Sequence, residues 1–211
     1  MRGLYALKPW YTRRLTSILR SAVARDLSPD VFTVVGVVSA IGAGVAIAFG
    51  IWPLALVLLA GRLAGANLDG AVARARGVSR PWGFVLNECG DRAGDLAMFA
   101  GLVVLAERTE QLTWGTGWVL VAAVCATLPT FASLSGAGAG APRLNGGPFG
   151  KTERCAVVVV ATALPAWIPV LSIVVVVGSL VTTLVRLRAI HRLLEAPATA
   201  TPTVAAPAGD G

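Results

Sequence analysis

Apolar runs of about 20 residues constrain this chain more than any other feature in it. A helix needs that length to cross the ~30 Å hydrocarbon core of a bilayer, where no water can satisfy an exposed backbone. Over its 211 residues the chain is 55% hydrophobic and only 14% charged. An average soluble domain is about 25% charged. The runs therefore predict one all-α polytopic membrane domain, with no room for a soluble one.

Punctuation between the runs sets the elements. Residues 5–26 mix arginines with Leu15, Ile18, Leu19 and Val23 at helical spacing, and Trp10 and Tyr11 suit the headgroup region. The pattern predicts an amphipathic helix on the membrane surface, within a cytoplasmic juxtamembrane segment 1–27. Ser28-Pro29-Asp30 is a helix-start signal. Six transmembrane helices follow at about 31–52, 53–76, 82–106, 114–135, 153–165 and 169–190, in a domain covering 28–195. The fifth is short for a span. Residues 136–152 have the glycine-rich composition of a flexible linker, yet they lead into Lys151-Thr152-Glu153-Arg154. The Ala/Pro/Thr-rich tail, 196–211, is expected to be disordered. Gly61-x-x-x-Gly65 and Gly90-x-x-x-Gly94 read as notches for helix packing.

Charge gives an orientation. With six spans and both termini inside, 15 of the 18 basic residues fall on the cytoplasmic face of the cell (inner) membrane. Only Arg108 lies outside, while Arg62 and Arg92 sit within spans. This is the positive-inside pattern. It also explains the net charge of +7, which points to anionic lipid rather than nucleic acid. Six basic residues and no continuous apolar core in the first 30 argue against a cleavable signal peptide. The three cysteines form no C-x-x-C pair, so neither a disulfide framework nor a zinc site is indicated.

Against this background the segment from Asp69 to Asp95 is costly. It holds four of the eleven acidic residues, Asp69, Glu88, Asp91 and Asp95, inside or beside the membrane. Intramembrane acids mark function by default. Asn87, Asp91 and Asp95 follow i, i+4, i+8 along one face of the third span, bordered by Glu88 and Arg92. Two antiparallel helices joined by the short turn 76–81 would set Asp69 opposite that stripe. Converging carboxylates in a low dielectric need a counter-charge, and a divalent cation is the simplest. Oxygen ligands favour magnesium, manganese or calcium over zinc, and a cytoplasmic mouth suits a diphosphate-bearing substrate. The structural alternative for Asp69 and Asp91 is ion pairing with Arg62 and Arg92. Asp95 reads equally as a ligand or as the partner of one of those arginines, and Glu88 as a ligand or the partner of a neighbouring arginine. An ion or proton carrier would string its acids along a path, whereas these cluster on two helices.

The run Asp69-Gly70-x-x-Ala73-Arg74, then eight residues, then Gly83-x-x-x-Asn87-x-x-x-Asp91 resembles the signature of the CDP-alcohol phosphatidyltransferases, D-x-x-D-G-x-x-A-R, eight residues, G-x-x-x-D-x-x-x-D. Ser28-Pro29-Asp30-x-x-Thr33 and Gly150-Lys151-x-Glu153-Arg154 resemble that family's flanking features. The resemblance implies six transmembrane helices, a homodimer and a Mg2+- or Mn2+-dependent site open to the cytoplasm. It implies transfer of a phosphatidyl or other substituted phosphoryl group from a CDP-linked donor, such as CDP-diacylglycerol, to an alcohol acceptor, with release of CMP. Asp69 would be a metal ligand and Asp91 the general base as well as a ligand. Gly70 and Ala73 would leave room for the cytidine, beside the motif glycine Gly83, and Arg74 would stabilise the cytoplasmic end. Lys151 and Arg154 would bind a donor phosphate or simply follow the positive-inside bias. Two positions depart from the pattern: the first motif aspartate falls on Ala66 and the third on Asn87. Asn87 keeps an amide oxygen, and Glu88 and Asp95 are the candidates to restore the lost charge at the metal. The alternative implied by these departures is a catalytically impaired member that binds nucleotide or lipid, or partners an active homologue.

Overall fold

The computed structural model describes residues 13–109 and 114–195. Trp10, Tyr11, the first part of the surface helix and the tail 196–211 lie outside the described residues. Every regular element among those described is helical: α1 (Thr16–Ala24), α2 (Pro29–Ala48), α3 (Trp52–Ala75), α4 (Pro81–Arg108), α5 (Gly115–Gly138), α6 (Lys151–Ala163), a 3-10 turn (Pro165–Trp167) and α7 (Ile168–Glu195). Four segments are long and apolar enough to cross a membrane: α2, α3, α5 and the stretch from Pro165 through α7. The N-terminal half of α4 carries Asn87, Glu88, Asp91, Arg92 and Asp95, which dilutes its apolar character. α6 has 13 residues, about 20 Å of helix against a ~30 Å core.

Local chemistry explains the boundaries. Ser28 caps α2 by accepting the Asp30 N–H at 3.3 Å, with Pro29 in the first turn. α2 and α3 end on the left-handed glycines Gly50 and Gly77. There the Ile51 N–H returns to the Ala46 carbonyl at 2.9 Å and the Val78 N–H to the Ala73 carbonyl at 3.0 Å. This is the Schellman termination that a glycine permits without steric cost. Arg80 then pairs with Asp30, and Arg76 donates to the Leu27 carbonyl at 2.6 Å. The turn after α3 is thereby fastened to the start of α2.

Packing depends on small residues. α2 lies along both α3 and α4, which touch each other far less, and α5 and α7 form a second close pair. A Cβ on Gly65 would meet the Phe32 carbonyl at 2.6 Å and the Gly36 Cα at 2.8 Å. One on Gly90 would meet Val37 at 2.9 Å, and Gly44 lies directly against the Ala97 carbonyl. Without a hydrophobic driving force between helices in lipid, such close approach supplies the dispersion contacts that hold the bundle. The core is small and aliphatic (Ala43, Ile47, Leu59, Met98, Val119, Ala126, Val158, Val175). Large apolar side chains face outward instead, among them Val38, Val45, Val57, Val124, Phe131, Val177 and Leu184. That inversion suits a lipid surround.

The glycine-rich connection before α6 is a pinned loop. Arg186 of α7 donates to the Gly146 carbonyl at 2.9 Å, the Asn145 carbonyl at 3.1 Å and the Pro129 carbonyl at 2.6 Å. Thr182 brackets Phe149, accepting its N–H and donating to its carbonyl, both at 3.0 Å. The linker-like composition is thus overridden by α7, whose Arg186 and Thr182 supply partners for the loop's backbone polar groups.

Candidate active site

Because α3 and α4 diverge below their turn, a cavity opens between them with α2 as its wall. It is lined by Thr33, Gly36 and Val37 from α2, Arg62, Ala66 and Asp69 from α3, and Asn87, Gly90 and Asp91 from α4. Asp69, Ala66, Asn87 and Asp91, aligned by motif spacing, thus face one space. Thr33 donates its hydroxyl to Asp69 Oδ2 at 3.1 Å, and the Gly70 N–H sits 2.5 Å from Asp69 Oδ1. Asp69 is 5% exposed, so these bonds offset part of its desolvation.

Asp91 is held from a different direction. Lys151, the first residue of α6, places Nζ 2.5 Å from Oδ1 and 2.6 Å from Oδ2. The Asp91 carbonyl accepts from Arg62 Nη2 at 3.0 Å. One turn deeper, Asp95 is enclosed by three guanidinium groups: Arg62 at 2.7 Å, Arg154 at 3.0 Å and Arg92 at 3.1 Å. Arg62, Arg154 and Asp95 are each nearly inaccessible, and three cations around one carboxylate leave surplus positive charge beneath the cavity. Glu88 pairs with Arg143, whose guanidinium also lies over the Phe84 ring at 4.7 Å.

The structure thus brings Asp69, Asn87 and Asp91 together and draws Asp95 and Glu88 toward arginines. Low dielectric makes those ion pairs hard to give up once formed. Lys151 joins the cavity carboxylates, while Arg154 is committed to Asp95. Gly70, Ala73, Arg74 and Gly83 are not among the residues lining this cavity. Arg74 folds back over Gly70, its Nη1 3.1 Å from where a Cβ would stand, and Gly83 faces Arg80. Gly36 and Val37 are cavity residues that sequence reasoning misses, and Arg62 enters it only as a partner for the acids. The Ser-Pro-Asp-x-x-Thr spacing carries the only signal for Thr33.

The donor set fits one oxygen-ligated ion. Among the described residues no group of three or more His, Cys, Asp or Glu could hold a metal. Two carboxylates and an amide oxygen remain. Magnesium is commonly bound by one or two carboxylates, with water and substrate phosphate completing its shell.

Fold and cavity together define a helical membrane protein whose acid-lined, cation-flanked site lies between two helices that share a turn. No family model matches the chain. It is 31% identical over 200 residues to a phosphatidylinositol phosphate synthase of Mycolicibacterium smegmatis, covering 86% of this chain and 85% of that protein. It is also 31% identical over 158 residues to one from Mycobacteroides abscessus, covering 69% of this chain and 66% of that protein. Its fold matches the crystal structure of Mycobacterium tuberculosis phosphatidylinositol phosphate synthase (PgsA1) with CDP-DAG bound. The TM-score is 0.72 at 24% identity, over 84% of this chain and 94% of that one. The same protein in complex with manganese and citrate matches with a TM-score of 0.69 at 24% identity, over 83% of this chain and 88% of that one. The chain belongs to the CDP-alcohol phosphatidyltransferase family. Its activity is of that class, transfer from a CDP-linked donor to an alcohol in phospholipid biosynthesis.

Proposed function

We propose that the protein transfers a phosphatidyl group from CDP-diacylglycerol to an alcohol and releases CMP. The observation that carries this reading is the convergence of Asp69, Asn87 and Asp91 on one cavity, with Thr33 on Asp69 and Lys151 on Asp91. The relative crystallised with CDP-DAG supports the choice of donor. The acceptor hydroxyl attacks the phosphorus that bears the lipid. The bond to the CMP oxygen breaks, CMP departs, and the hydroxyl proton passes to the Asp91 carboxylate. Asp69, Asn87 and Asp91 would hold a Mg2+ or Mn2+ ion, which neutralises charge on the diphosphate and the departing CMP. Asp69 is oriented for that role by Thr33. Lys151 offers its ammonium to the same diphosphate. Arg62 fixes the backbone of Asp91, and the Arg62–Asp95–Arg154 cluster positions α3, α4 and α6 around the reacting groups.

Gly70, Ala73, Arg74 and Gly83 form the cytidine side of the mouth in this reading, with Arg154 contributing charge through Asp95. Glu88 and Asp95 act through their arginines rather than on the ion. The domain of residues 28–195 makes six spans, counting α4 and the short α6, with the segment 1–27 on the cytoplasmic side. Both termini and the site face the cytoplasm of the inner membrane, and two copies assemble as a homodimer. The positive-inside distribution supports that orientation.

The test is CMP release by the purified protein with CDP-diacylglycerol, Mg2+ or Mn2+, and a panel of alcohols that begins with inositol phosphate, the alcohol contained in the product its relatives are named for. Metal-dependent CMP formation is expected. Cytidine-nucleotide binding without turnover over the whole panel would favour the nucleotide-binding partner role.

A further inference from the structure

We propose that this site takes one divalent cation, and that the ammonium of Lys151, seated on Asp91, supplies the positive charge a second ion would bring. The inference rests on the phosphatidyl-transfer reading above. Its first support is the cavity wall. Ala66 and Asn87 stand where the family pattern has aspartates, and both line the same space as Asp69 and Asp91. The cavity therefore carries two fewer carboxylates than the four-aspartate pattern would give it, and with them the ligands that a second ion would need. The neighbouring acids do not replace them. Asp95 is surrounded by Arg62, Arg92 and Arg154, and Glu88 is paired with Arg143.

The second support is independent, and lies in how Lys151 is delivered. Its ammonium meets both Asp91 oxygens, at 2.5 and 2.6 Å, as a bound cation would. The backbone beneath it is fixed. Glu153 accepts the Gly150 N–H at 2.9 Å at the start of α6. Thr182 clamps Phe149, and Arg186 clamps Asn145 and Gly146. Arg154, one turn further along α6, is anchored on Asp95. A lysine held at both ends of its local segment is a built element of the site. Two carboxylates and a substrate diphosphate then face one divalent ion and Lys151, with the surplus arginine charge below making up the remaining positive charge. A second divalent ion would leave excess positive charge in a low dielectric.

The experiment is Mn2+ binding to the full-length protein in nanodiscs, read by electron paramagnetic resonance, with and without CDP. One Mn2+ per chain without spin coupling is expected. Two coupled ions per chain would overturn the one-ion site. Lys151→Gln removes the resident cation and is expected to tighten Mn2+ binding about tenfold, with no further effect in an Asp91→Asn background. Lys151→Arg, which keeps the charge, should bind Mn2+ as the parent does. An unchanged affinity in Lys151→Gln, or the same gain without Asp91, would overturn the assignment to Lys151. Metal-dependent CMP release alongside two bound ions would sink this inference alone. Absence of CMP release with every metal and acceptor would sink the reading beneath it.

Discussion

At the scale of single residues, Asp91 and Asp95 lie one helical turn apart on α4 yet have opposite surroundings. Asp91 faces the cavity and meets one flexible ammonium, while Asp95 faces three guanidinium groups in the protein interior. Asp91→Asn is expected to lower CMP release by about 10²–10⁴-fold, the usual worth of a general base. Cytidine-nucleotide binding, measured by calorimetry, should be retained. Asp95→Asn should act through stability. Removing one partner of a buried ionic cluster costs about 3–5 kcal/mol. Unfolding titrations should show that loss, while Mn2+ stoichiometry per folded chain stays as in the parent. The motif spacing makes Asp69, Asn87 and Asp91 legible in the sequence, because i and i+4 on one helix face is a local property. Which acid is claimed by arginines is not legible there. Arg62 lies 33 residues before Asp95 and Arg154 lies 59 after it, so only tertiary packing brings them together.

At the scale of elements, the helix starts and stops are readable where a cap or a glycine writes them locally. Ser28-Pro29 before α2 and Gly77 after α3 are such cases. Helix lengths fixed by packing are not: α7 continues to Glu195, beyond the apolar pattern that suggests an end near 190. The closest crossings give a paired test. Gly65→Val places methyl groups against the Phe32 carbonyl and Gly36, and should cost about 1–3 kcal/mol or more. A Cβ on Gly117, by contrast, would meet nothing within 4 Å. Gly117→Ala should be neutral or stabilising by up to about 1 kcal/mol. Thermal unfolding in detergent compares the two. The loop before α6 supplies another test. Arg186→Met deletes donors to the Pro129, Asn145 and Gly146 carbonyls. The buried Pro129 carbonyl costs roughly 1–3 kcal/mol when left unpaired, and the more exposed Asn145 and Gly146 carbonyls lose their tie to α7. Hydrogen exchange should rise across residues 139–150 and CMP release should fall, because Lys151 loses its fixed base. The sequence shows only the composition of that loop; its order comes from a buried arginine on α7, 40 residues beyond Gly146.

At the scale of the whole molecule, membrane residence is legible because composition alone excludes a water-facing fold, and the outward placement of large apolar side chains agrees with it. The number of crossings is harder to read. Four helical segments qualify by length and apolarity, and α4 and α6 depart from that standard because they build the site. Polar residues in α4 and brevity in α6 are the cost of carrying Asp91, Asp95, Lys151 and Arg154 to one place. On this reading α4 crosses with its charged half against α2, α3 and α6, while its C-terminal half, which includes Met98, Phe99 and Leu102, extends the buried core. The six-span arrangement then has a direct consequence. In a background where Cys89, Cys125 and Cys155 are replaced by Ala, a cysteine at Ser79, in the turn between α3 and α4, lies on the cytoplasmic side. One at Ala166, in the turn between α6 and α7, lies on the opposite side. A membrane-impermeant maleimide should label Ala166→Cys in intact spheroplasts and Ser79→Cys only after the membrane is opened. Labelling of both from the same side would mean that α6 re-enters rather than crosses, and would place the pinned loop and Lys151 within a cavity closed from one face.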